Sequence, residues 1–151
     1  MPLILFLGNS LYAEDSIALL VGEILKERLE AEGFEVEILE RIGYSLIDYI
    51  AGRDSVIIVD SMIGEYGEVI VLEDLNAFAI RSPKSPHYAG LPEAIELMKA
   101  LNLPLPERIL VLGIGIRDPY TIGEIPPELN ARVGDIAERV YSEIGNCSKL
   151  N

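Results

Sequence analysis

Two kinds of hydrophobic pattern alternate along this chain. Leu3 to Leu7 and Val56 to Val59 are apolar throughout, the mark of strands covered on both faces. Val36 to Leu39, Val69 to Leu72 and Ile109 to Ile114 read as further strands. Between them the apolar spacing widens to that of helices. Ile17, Leu20, Val21, Ile24 and Leu25 share one face after Ser16, a candidate N-cap, and Gly33 stops that helix. Tyr44 to Ile50 is a short helix ended by Gly52. Leu91, Ile95 and Met98 stripe a helix from Pro92 to about Leu101, with Pro92 suited to its first turn. A closing helix from about Pro127 carries Leu129, Val133, Ile136, Ala137, Val140 and Ile144.

With no linker or internal repeat in the pattern, residues 1–151 are expected to form one domain. The alternation predicts a three-layer, doubly wound α/β fold, its mainly parallel sheet sandwiched between helices. Val69 to Leu72 is the exception. Gly64 and Gly67 bracket a turn before it and no helix separates it from the preceding strand, so it is expected to run antiparallel. A loop rich in Pro, Ser and basic residues is expected from Arg81 to Gly90.

Composition narrows the class. Half of the residues are hydrophobic and a quarter charged, as in a globular chain. The formal net charge of -13 argues against nucleic-acid binding and against an anionic membrane surface, both of which need a basic footprint. No apolar run approaches membrane length, so no membrane insertion is expected. The one cysteine, Cys147, allows neither an internal disulfide nor a cysteine zinc site, and together with an opening segment that lacks a basic leader it leads to an expected cytoplasmic location. The tail motifs Ser148-Lys149-Leu150 and Cys147 each miss the position that a peroxisomal or prenylation signal requires. Absence of Gln, with one Thr and one Cys among abundant Glu, Ile and Leu, matches a thermophilic source.

Candidate chemistry centres on the only histidine, His87, within Ser85-Pro86-His87. In doubly wound sheets ligands bind beyond the carboxyl ends of the strands. Asp60 is expected to end the third strand, and the loop from Gly8 to Asp15 leaves the first strand at the same edge. If those strands are neighbours, Asp15 and Asp60 meet there, and the loop holding His87 need only fold over that edge. Two carboxylates and one imidazole can hold a divalent ion with positions left open for substrate. The same residues also fit plain structural roles: Asp15 at a helix start, Asp60 at a turn, His87 in a surface loop.

Other signatures fit less well. Gly113-Ile114-Gly115 follows a late strand and has Asp118 at the third glycine position of a dinucleotide fingerprint, so a tight turn is expected instead. No phosphate loop and no His-Glu-x-x-His occur. A Ser-His-Asp triad using Ser61 or Ser85 lacks a nucleophile elbow. A receiver-type signalling domain would also place Asp60 at a strand end, but it needs a lysine after the last core strand, where this chain has Gly113 to Arg117. A flavodoxin-like binding domain is a further alternative.

Gly8-Asn9-Ser10-Leu11-Tyr12-Ala13-Glu14-Asp15-Ser16-Ile17-Ala18, the strand that reaches Asp60, and Ser85-Pro86-His87-Tyr88-Ala89-Gly90 occur in this order. In that order and spacing the chain resembles the nickel-iron hydrogenase maturation endopeptidases, over essentially its whole length. The resemblance implies a hydrolase that removes a C-terminal extension from a hydrogenase large-subunit precursor after nickel insertion. It implies Asp15, Asp60 and His87 as both the metal-binding and the catalytic residues, with the nickel carried by the substrate. Cleavage would use a metal-polarised water or a carboxylate base. Some positions depart from the family pattern: Phe6 and Ala18 replace glycines, and Glu40-Arg41 replaces an Asp-Gly pair. Glu14 is expected to point away from the metal, toward the helix start, and Arg81 with Lys84 to dock an acidic partner segment.

Overall fold

The computed structural model describes residues 2–40, 43–82 and 90–149. In chain order the elements are β1 (Leu3–Gly8), α1 (Ile17–Ala31), β2 (Glu35–Glu40), α2 (Leu46–Ile50), β3 (Ser55–Ile63), β4 (Val69–Leu72), α3 (Leu75–Arg81), α4 (Leu91–Ala100), β5 (Arg108–Ile116), α5 (Pro127–Asn130) and α6 (Val133–Lys149). The strands form one sheet in the order β2-β1-β3-β5-β4. Every pairing is parallel except β4 with β5, which is antiparallel as the helix-free connection implied.

Alternation along the strands divides the core into two layers. Ile4 and Phe6 of β1, Ile57 and Val59 of β3, and Leu110, Leu112 and Ile114 of β5 pack beneath α1 and α6. Leu3, Leu5 and Leu7, with Val56, Ile58 and Met62, face α2, α3 and α4. Each fully buried aliphatic or aromatic side chain contributes about 1.5–3 kcal/mol through loss of contact with water. Strands apolar at every position are what a sheet buried on both faces demands.

Several local expectations change. First, β3 does not end at Asp60 but continues to Ile63, because β5 keeps pairing with it as far as Ile63–Ile116. Second, Gly113 and Gly115 lie inside β5 rather than in a turn. A Cβ at Gly113 would sit 2.4 Å from the Met62 sulfur, and one at Gly115 would sit 1.8 Å from the Glu65 carbonyl oxygen. Both glycines therefore serve close packing, the second where the β3–β4 connection crosses the end of β5.

Third, α3 forms where no helix was expected. Asp74 caps it by accepting a hydrogen bond from the Asn76 N–H at 2.9 Å, and its one fully buried residue is Phe78. A seven-residue helix, with Phe78 buried and only Leu75 packed beside it, carries too short an apolar stripe to detect. Fourth, Ser16 precedes α1 but does not cap it, since its hydroxyl donates backward to the Ala13 carbonyl at 2.8 Å. The closing helix is also divided, a short α5 preceding the long α6. Pro92 does occupy the first turn of α4, and Gly33 has the positive φ of a helix-ending glycine.

Phe78 is the point at which α3 is held to the sheet. Phe78→Ala is expected to destabilise the protein by about 3–5 kcal/mol, measured as a lower urea midpoint at unchanged slope. A loss below about 1 kcal/mol would show that the surroundings of α3 collapse to fill the space.

Candidate functional site at the split between the first and third strands

β1 and β3 are paired only as far as Phe6–Val59. Beyond that point β1 stays with β2, reaching Gly8–Glu40, while β3 stays with β5. The chain also reverses direction of travel across the sheet here, going outward to β2 and then back past β1 to β3. This is the topological switch point at which doubly wound sheets open a crevice.

The loop after β1 folds into that opening. Gly8 makes the return possible, since a Cβ there would lie 2.6 Å from the Asp15 carbonyl oxygen. Asn9 shapes the turn: its side-chain oxygen accepts the Leu11 N–H at 2.9 Å, and its carbonyl accepts the Tyr12 N–H at 3.1 Å. Glu40, the lengthened acid at the end of β2, accepts the Ser10 N–H at 3.0 Å. Its carboxylate thus holds the loop.

Asp15 is 9% exposed and accepts a hydrogen bond from the hydroxyl of Ser61, a residue with no exposed surface. The Asn9 backbone N–H also bonds to it. Asp60, partly buried, accepts the backbone N–H of Ser61 at 2.8 Å. Burial pushes the Asp15 carboxyl above the ordinary carboxylate range, against the lowering effect of the Ser61 and Asn9 hydrogen bonds. Asp60 is pushed well above it, by burial first and the Asp15 charge second. The two acids are therefore close enough to repel. A cation between them would relieve that repulsion, and a proton held by one of them does so in its absence.

His87 lies outside the described residues, as does Lys84. Among the described residues no group of three His, Cys, Asp or Glu side chains is arranged to hold a metal ion. The segments flanking His87 are defined, however. Arg81 donates from Nε to the carbonyl of Ile63 at the end of β3, at 3.0 Å, and Gly90 leads into α4 with its N–H bonded to Glu93 at 3.1 Å. Both α3 and α4 pack on the sheet face of Ile58 and Met62, which by strand alternation is the face of Asp60.

Glu14 does point away from Asp15, but not to the helix start. Its carboxylate accepts the N–H groups of Arg117 and Asp118, just past β5, at 2.9 and 3.0 Å. It also bonds the Tyr66 phenol, whose pKa is pushed up to about 12 by burial and then by the Glu14 charge. Backbone bonds from Ala13 to Thr121 and from Gly123 to Leu11, at 2.8 and 3.2 Å, complete the seam between the two loops. Arg81 is not available for docking in the way expected: its guanidinium pairs with Glu68 at 2.6 Å. Ser61 and Tyr66 were not singled out for these roles. Ser61 carries one trace, a second polar residue directly after Asp60 where the apolar run resumes with Met62 and Ile63.

A family model described as hydrogenase maturation protease matches residues 19–144. Protein FrxA of Pyrococcus furiosus is 27% identical over 135 residues, spanning 87% of this chain and 96% of that protein. The hydrogenase maturating endopeptidase HybD of Escherichia coli superposes with a TM-score of 0.75 at 21% identity, covering 97% of this chain and 94% of that one. The [NiFe] hydrogenase maturation protease HybD of Thermococcus kodakarensis gives a TM-score of 0.65 at 25% identity, over 94% and 98% of the two chains.

The carboxyl pair has a consequence for stability. Because the folded pKa of Asp60 is raised, the native protein holds a proton that the unfolded chain has released, so stability falls as pH rises from about 4 through the folded value. Asp60→Asn removes that penalty. The variant is expected to be more stable than the parent at pH 7, with the gap shrinking toward about pH 3.5; urea melts at the two pH values measure it. A variant less stable than the parent at pH 7 would contradict the repulsion.

Proposed function

Because the chain belongs to the hydrogenase maturation protease family, we propose that this processing endopeptidase removes the C-terminal extension of a nickel-loaded [NiFe]-hydrogenase large-subunit precursor, reading the nickel through Asp15, Asp60 and His87. The observation that carries the site assignment is the convergence of Asp15 and Asp60 on Ser61 at the split in the sheet. The position of α3 and α4 supports the addition of His87, since both ends of the segment that holds it are anchored on the Asp60 face.

The chemistry is consistent with nickel as part of the substrate. A borderline metal already held by the precursor can take carboxylate oxygen and imidazole nitrogen in its open positions. Doing so brings the scissile peptide to the enzyme in a fixed orientation, which converts a bimolecular encounter into an intramolecular one. Crowded carboxylates gain from such a metal, because it lowers the cost of ionising both. A carboxyl with a raised pKa is also better matched to general-base work near neutral pH than an ordinary one. The reading places the protein in the cytoplasm, with the precursor as its partner.

The test is cleavage of matched precursors. With the nickel-loaded form the C-terminal tail is expected to be lost, and with the nickel-free form it is expected to remain, both followed by mass spectrometry. Asp15→Asn, Asp60→Asn and His87→Ala should each lower the rate by about 100-fold or more. Cleavage of both forms would reject nickel as the recognition element. Cleavage of neither would reject the function.

A further inference from the structure

Ser61 touches both acids of the site. Its hydroxyl donates to Asp15 and its backbone N–H donates to Asp60 at 2.8 Å. Successive residues of a strand point to opposite faces, so Asp60 follows Ile58 and Met62 toward the α3–α4 layer, whereas Ser61 follows Ile57 and Val59 toward the α1–α6 layer. That second layer is the one from which Asp15 arrives, at the start of α1. Ser61 also lies past Val59, the last residue of β3 that β1 pairs with. The open edge of β3 is thus where the Asp15 loop comes against the strand.

We propose that Ser61 is a positioning residue for the reaction, setting the orientation of the Asp15 carboxylate relative to Asp60 while itself touching neither substrate nor metal. Three observations support this. Ser61 has no exposed surface, so its hydroxyl is out of reach of bulk solvent. Its neighbours Val59 and Met62 are fully buried and apolar, an environment in which a hydroxyl is retained only with a partner. Its bond occupies one Asp15 oxygen, Oδ1, and so restricts how the other can be presented. The backbone bond to Asp60 does not depend on the side chain, so replacing Ser61 alters the hold on one acid and spares the other.

The inference rests on the peptidase reading for its kinetic part and not for its structural part. The experiment compares the parent with Ser61→Ala and Ser61→Thr. In crystal structures of all three, Asp15 is expected to keep a single side-chain rotamer in the parent and in S61T, and to change or multiply its rotamers in S61A. In cleavage of the nickel-loaded precursor, S61A is expected to lose about 10–100-fold in kcat/KM, with S61T recovering most of it. Thermal melts establish that each variant is folded, so that a loss in S61A is not a loss of the fold, and the Asp15 rotamer separates the hydroxyl's bond from packing. An unchanged Asp15 rotamer in S61A overturns the proposal. So does full activity of S61A, or equal loss in two folded variants. If the parent cleaves no precursor, the peptidase reading fails while the crystal structures still decide the role of Ser61.

Discussion

Two carboxylates largely withdrawn from water, beside one another, are the constraint around which this protein is organised. Neither Asp15 nor Asp60 has a basic partner among its described hydrogen bonds; each is met by groups of Ser61, and Asp15 by Asn9 as well. Neutral donors offset only part of the loss of hydration, which is why burial leaves both acids with raised pKa values. Such a pair persists only where the surrounding structure holds it in place.

The surroundings do so from several directions. The sheet opens at the switch point because β1 parts from β3 after Phe6 while β5 follows β3 to its end. Gly8 lets the Asp15 backbone come back against β1, and Glu40 and Asn9 hold the loop between them. Glu14 fastens the same loop to the amides beyond β5, and two backbone bonds close the seam beside it. Adjacent acids in the sequence therefore have separate tasks. Glu14 takes three donors from the loop past β5 and from Tyr66, whereas Asp15 turns to Ser61 and Asn9.

Much of this could be read in the chain, and the parts that could not share a cause. Runs such as Leu3–Leu7 and Val56–Val59 announce buried strands because burial on both faces forbids polar residues. Asp60 reads as a strand end for the complementary reason: Asp60 and Ser61 interrupt the apolar run, one bonded to the Ser61 N–H and the other to Asp15, and by pattern alone a polar pair looks like the end of a strand. Gly113 and Gly115 resembled a turn because glycine marks both tight turns and close approach, and only the positions of Met62 and Glu65 distinguish the two. α3 is not legible because Leu75 and Phe78 together span a single helical turn, too little to set a period.

By itself the sequence determined the alternation of strands and helices, the parallel sheet with one reversed strand, and the edge at which Asp15 and Asp60 gather. All of these follow from local hydrophobic period and from rules of chain connection that act between successive elements. Tertiary structure alone decided that Ser61 would be the partner of Asp15 and that Glu14 would reach the amides past β5. Those contacts join residues 46 and 103 positions apart. No periodicity spans such separations; they exist because the strand order β2-β1-β3-β5-β4 brings distant loops to one end of the sheet.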